Sequence, residues 1–73
     1  MVTINMQETG ERIKEIRKQQ NMTLQDVCDI CGITKMAVCK WQKGISLPTI
    51  DNLVILASVW GMKVDDIIVT QTD

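Results

Sequence analysis

Apolar residues in this chain of 73 recur at helical spacing in short blocks, and threonines, glycines and one asparagine punctuate the blocks. Val2, Ile4 and Met6 alternate with polar neighbours, a period-two pattern that predicts a short strand or an extended arm over residues 1–8, with a frayed terminus as the alternative. Ile13 and Ile16 then form one stripe, with Arg12, Lys14, Glu15 and Lys18 left for solvent. With Thr9 as N-cap, this predicts a first helix that runs to about Gln20. Asn21 suits the left-handed position that ends a helix, and Met22 turns back toward the core.

Residues 23–44 carry the strongest pattern. Thr23 is placed to cap a second helix, and Asp26 three residues on completes an acidic capping box that also suits the helix dipole. Val27, Cys28 and Cys31 share its inward face. Gly32 ends it by permitting positive φ, and Ile33 dips inward. A third helix opens at the Thr34 cap, with Val38 and Trp41 facing in and Lys35, Met36, Cys39 and Lys40 facing out, and Gly44 stops it. After a loop containing Pro48, Thr49 caps a fourth helix, to about Trp60, that buries Leu53, Leu56, Ala57 and Trp60 and ends at Gly61. A last turn capped by Asp65 carries Ile67 and Ile68, and residues 70–73 form a polar tail. The expected organisation is an arm over 1–8, one all-α domain of five helices over 9–69, and a tail over 70–73.

Composition narrows the function. The chain has no His, Phe or Tyr, so the core is aliphatic with two Trp, and the usual general base and commonest metal ligand are both missing. No grouping of catalytic type is present, and the expectation is a protein that is not an enzyme. No apolar run reaches membrane-spanning length and no export signal opens the chain, which predicts a soluble, cytoplasmic protein. Three cysteines fit a reducing compartment. Cys28 and Cys31 resemble half a zinc site, but only Cys39 could join them, so they read as small core residues with no metal or cofactor.

Net charge is −1, but its distribution is uneven. Residues 34–44 carry Lys35, Lys40 and Lys43 and no acid, whereas residues 45–73 carry a net −3. A basic helix face on a near-neutral domain is compatible with phosphate binding.

Taken in order, GERIKEIR at 10–17, MTLQDVC at 22–28, GIT at 32–34, WQKG at 41–44, Pro48, Leu53, Leu56, Ala57 and DDI at 65–67 resemble the phage-repressor-like helix-turn-helix family, of the Cro and lambda-repressor type. The resemblance implies a five-helix domain whose third helix enters the major groove of double-stranded DNA while the second crosses the backbone. By position, Thr23 and Gln25 would lie near phosphate; Lys35, Met36 and Lys40 would face base edges, with Thr34, Ala37 and Cys39 alongside; and Lys43 would reach phosphate. The resemblance implies transcriptional regulation, repressor-like, by occupation of an operator. A domain this short leaves no room for a ligand sensor, so no small-molecule ligand is expected. Three positions depart from the family pattern. Leu24 replaces a Gln, Cys39 replaces a Ser, and Gln42 replaces the acidic partner of Arg17, which keeps a hydrogen bond but not an ion pair. Leu24, Met36 and Cys39 motivate an alternative, a protein-interaction module of the same fold with weak or lost DNA binding. On the fourth helix, Ile55 and Val59 lie away from Leu53 and Trp60; with Ile67 they are expected to form a homodimer contact, the alternative being scattered surface apolarity.

Overall fold

The computed structural model describes residues 1–72, in the order β1 (Val2–Ile4), α1 (Met6–Gln19), α2 (Leu24–Cys31), α3 (Lys35–Gln42), α4 (Ile50–Trp60), α5 (Val64–Ile67) and β2 (Thr70–Thr72). Five helices enclose one aliphatic core, and the two terminal strands pair antiparallel, Val2 with Thr72, Thr3 with Gln71 and Ile4 with Thr70. The all-α expectation holds, with this small ribbon added.

The helix-start signals of the middle of the chain work as the side chains require. The Thr23, Thr34 and Thr49 hydroxyls accept from the backbone N–H of Asp26, Ala37 and Asn52 respectively. Gly32 and Gly61 end α2 and α4 with φ of 67° and 68°, and Asn21 takes φ of 57° after α1. The core contains Ile13, Ile16, Val27, Cys28, Val38, Trp41, Leu53, Leu56, Ala57, Trp60 and Ile67. Both Trp side chains are therefore structural, and the Trp60 indole N–H points at the Met22 sulfur at 3.2 Å.

Four expectations need correction. Helix α1 begins at Met6, not after Thr9; its cap is Asn5, whose Oδ1 accepts from the Glu8 N–H at 2.9 Å. Thr9 instead lies fully buried inside the helix, where its hydroxyl donates to the Val69 carbonyl (3.3 Å) and accepts from the Val69 N–H (2.9 Å). Residues 70–72 are a strand rather than a loose tail, fastened further by Asn5 N–H to Val69 carbonyl (2.8 Å) and Asn5 Nδ2 to Gln71 Oε1 (2.9 Å). The last position of the expected tail, Asp73, lies outside the described residues. Helix α5 is capped by Lys63, whose N–H donates to the Asp66 carboxylate at 2.9 Å, so Asp65 sits inside the first turn. Finally, Ile67 has no exposed surface and belongs to the core, which removes it from the expected dimer contact.

Candidate nucleic-acid interface

Helix α3 is held in place from three sides. On its inward face, Val38 is fully enclosed and Trp41 is 5 % exposed, both packed into the shared core. From α2, the left-handed Gly32 reverses the chain and the Ile33 N–H bonds back to the Cys28 carbonyl at 3.1 Å, so the two helices are joined by a tight turn. From α1, the contact is unusually close. A side chain at Gly10 would collide with the Trp41 carbonyl and stand 2.9 Å from that of Gln42. Only a glycine lets α1 lie directly against the carboxyl end of α3. Gly44 repeats this at the exit of α3, where φ is 75° and a Cβ would stand 2.7 Å from the Gln7 Cα.

Arg17 completes the support. Its Nε donates to Gln42 Oε1 at 3.0 Å and its Nη1 to the Met22 carbonyl at 2.8 Å, tying α3 to α1 and to the α1–α2 connection. Arg17 is only half-buried, so its charge is not sealed away from solvent without a compensating carboxylate.

The outward face follows from the 100° step of the helix. With Val38 and Trp41 inward, Met36 lies at the centre of the opposite side and is 69 % exposed. Cys39, half-buried, and Lys40, exposed, lie on either side of it, and the exposed Lys43 continues the face one residue past the helix. Lys35 and Thr34 stand exposed at the amino end, and Ala37 is half-buried at the edge. The first turn of α3 contains no acidic residue, so nothing there offsets the lysines or the positive end of the helix dipole. Eight helical residues span roughly 12 Å, a length that fits across a major groove about 12 Å wide.

Helix α2 contributes less. Thr23 and Gln25 are exposed, but both engage within their own helix. The Thr23 N–H donates to the Asp26 carboxylate at 2.8 Å, and Gln25 Nε2 donates to Asp29 Oδ1 at 2.8 Å. Asp26 therefore places negative charge at the amino end of α2, which would otherwise attract a phosphate. Leu24 is half-buried against the core, so this side chain serves packing. Sequence reasoning overlooked Gly10, although a glycine within a helical pattern is a known signal of close backbone approach.

The cysteines divide by burial. Cys28 is a core residue; Cys31 is half-buried, and burial first, then the neighbouring Cys28 sulfur, push its thiol above its ordinary value of 9.0. Among the described residues no group of three or more His, Cys, Asp or Glu could hold a metal ion, and no helix is long and apolar enough to cross a membrane.

Known proteins share this fold. The chain is 29 % identical over 58 residues to the HTH-type transcriptional regulator AnsR of Bacillus subtilis, covering 80 % of this chain and 50 % of that protein. It is also 29 % identical over 58 residues to the uncharacterized HTH-type transcriptional regulator YobD of the same organism, covering 80 % and 52 %. It thus spans about half the length of those two relatives. In structure it resembles the restriction-modification controller protein C.AhdI from Aeromonas hydrophila, with a TM-score of 0.76, 16 % identity and coverage of 86 % of this chain and 96 % of that one. The DNA-binding domain of BldD superposes with a TM-score of 0.70 at 23 % identity, covering 88 % and 93 %. Residues 13–67, which run from the α1 stripe through the buried Ile67, match the family Helix-turn-helix, and the chain belongs to this Cro/C1-type helix-turn-helix family.

Proposed function

We propose that this protein is a cytoplasmic transcriptional regulator that binds double-stranded DNA in a sequence-specific manner, with α3 in the major groove, and that it acts by occupying an operator rather than by catalysis. The observation that carries this proposal is the outward face of α3. Lys35, Lys40 and Lys43 stand exposed on an acid-free segment, and the Gly10, Gly44 and Arg17 contacts fasten that segment to α1. Lys40 would donate to guanine O6 and N7, and Met36 would pack on a thymine methyl. Lys35, at the amino end, suits a base edge or a phosphate, and Lys43, past the carboxyl end, suits a phosphate. Thr34, Ala37 and Cys39 flank these contacts, and Thr23 and Gln25 lie where the backbone would pass.

The experiment is selection of bound duplexes from a random pool, followed by the same selection with Lys40→Ala. Enrichment of one motif, with discrimination lost at a guanine in the variant, is the expected result. A pool that never enriches would favour the other member of the same fold class, a protein-interaction module, for which the exposed Met36 is the supporting observation.

The proposal includes a homodimer through α4. Ile55 and Val59 are exposed, four residues apart on one face, and a two-fold pair would match two half-sites of an operator. Ile55→Glu should halve the mass in sedimentation velocity; an unaltered mass would remove this face from the interface. No small-molecule ligand is assigned to the domain.

A further inference from the structure

The chain carries five methionines, and the fold gives them unequal access to solvent. Met22 and Met62 are half-buried against the core, and the Met22 sulfur faces the Trp60 indole N–H. Met6 is half-buried in the first turn of α1. Met1 is open, but it precedes β1 and lies outside the α3 face. Met36 is the one methionine of α3, and it stands 69 % exposed at the centre of the outward face. An oxidant in solution must reach the sulfur, so exposure sets Met36 apart from the three half-buried methionines. It takes no part in the core, so a change at its sulfur leaves the packing of the fold intact.

Oxidation inverts what this side chain offers. A sulfur lone pair attacks one oxygen of hydrogen peroxide, and the S–O bond forms as the O–O bond breaks. The sulfur gives up two electrons, and the departing hydroxide takes the proton from the new S–OH group and leaves as water. The product is a sulfoxide, polar and chiral where an apolar group stood. Against a thymine methyl its oxygen would lose water and gain no donor, which disfavours the contact. Lys40 lies four residues on, the spacing at which side chains of one helix face meet. An ammonium drawn to the sulfoxide oxygen is diverted from guanine.

We propose that Met36 is a reversible oxidation site that switches operator binding off, an inference that rests on α3 lying in the major groove. A peroxide converts Met36 to the sulfoxide, and the face loses its apolar contact and the service of Lys40 together. A thiol-dependent methionine sulfoxide reductase reverses the change: two thiols become a disulfide, the oxygen leaves as water, and the thioether returns.

The test uses the full chain and the duplex enriched by selection with the parent. The protein is treated with hydrogen peroxide, quenched with catalase, and assayed before and after dithiothreitol, which returns disulfides and sulfenates to thiols and leaves the sulfoxide. Peptide mass spectrometry should find Met36 oxidised well ahead of Met6, Met22 and Met62, with circular dichroism unchanged. Affinity should fall roughly tenfold or more, the scale of one mismatched base pair, and the loss should persist in dithiothreitol. The two methionine sulfoxide reductases, one for each epimer, should recover it. Met36→Leu is an apolar swap of similar volume without sulfur, and it retains Met1. Compared with itself before and after peroxide, its affinity should not change. Even oxidation of the buried methionines, unchanged affinity once Met36 is oxidised, recovery by dithiothreitol alone, or a Met36→Leu protein that peroxide still inactivates would each overturn the proposal. A parent that enriches no duplex would overturn the reading of α3 as a DNA reader, and this switch with it.

Discussion

Gly10→Ala separates two physical effects of opposite sign. Gly10 lies inside α1 with ordinary negative φ, and alanine there would improve helix propensity by about 1 kcal/mol if α1 stood alone. In the folded chain the added methyl meets the Trp41 carbonyl well inside contact distance and the Gln42 carbonyl carbon at 3.0 Å. These are backbone atoms at the end of α3, where the Trp41 carbonyl also accepts from the Gly44 N–H at 3.1 Å, so they cannot rotate aside as a side chain could. Overpacking against such a wall costs roughly 3 kcal/mol, the upper part of the usual range. The net is a loss of about 2 kcal/mol, and for a domain of this size Tm should fall by roughly 8–16 °C. Thermal unfolding followed at 222 nm, at fixed protein concentration, measures it. Gly61→Ala is the matched control: nothing lies within 4 Å of its would-be Cβ and only the left-handed φ of 68° is strained, so about 1 kcal/mol should be lost. A Gly10→Ala protein as stable as the parent, or more so, would refute the close approach of α1 to α3.

Thr9→Val keeps the shape but strips the hydroxyl from the Val69 N–H, and about 1–3 kcal/mol should be lost, with faster amide exchange in β2 as the accompanying sign. Gln42→Glu places a carboxylate against Arg17 and should add roughly 1 kcal/mol near neutral pH. Pairing would depress the new carboxyl, so that gain should be present above its unfolded value near 4.3 and disappear as pH falls through the lower folded value; a gain independent of pH in urea titrations would contradict the pairing. The raised Cys31 thiol predicts the opposite slope. It binds its proton more tightly folded than unfolded, so its contribution is complete below pH 9.0 and is lost as pH rises through the folded value, an effect that Cys31→Ala should abolish.

The middle of the fold was legible because its signals are local. Thr23 with Asp26, Gly32, Thr34, Thr49 and Gly61 act within four residues of themselves, so caps and stops could be read without knowing the partners. The alternation of Val2, Ile4 and Met6 announced a short strand, and β1 is that strand; its pairing with β2 was not legible, because nothing near Thr9 announces that its hydroxyl will meet Val69, sixty residues away. Thr9, held by that contact, lies inside α1, and Asn5 caps the helix. Ile67, Ile68 and Val69 are consecutive apolar residues, and periodicity alone cannot say which one enters the core. In the candidate interface, the outward lysines were readable from the Val38–Trp41 stripe. The closeness of α1 to α3 was not read, since Gly10 declares its purpose only against the α3 carbonyls.

The central claim is that α3 meets DNA through its lysines. It is tested most directly by titrating a mixed-sequence duplex with the parent protein and with Lys35→Ala plus Lys40→Ala at several salt concentrations. Each phosphate neutralised contributes about 0.9 to the slope of log affinity against log salt. The parent should show a steep negative slope, and the double variant should bind more weakly, with a slope flatter by up to about 2 according to how many of the two lysines meet phosphate. Equal affinity and equal slope in the two proteins would contradict the placement of α3 on DNA.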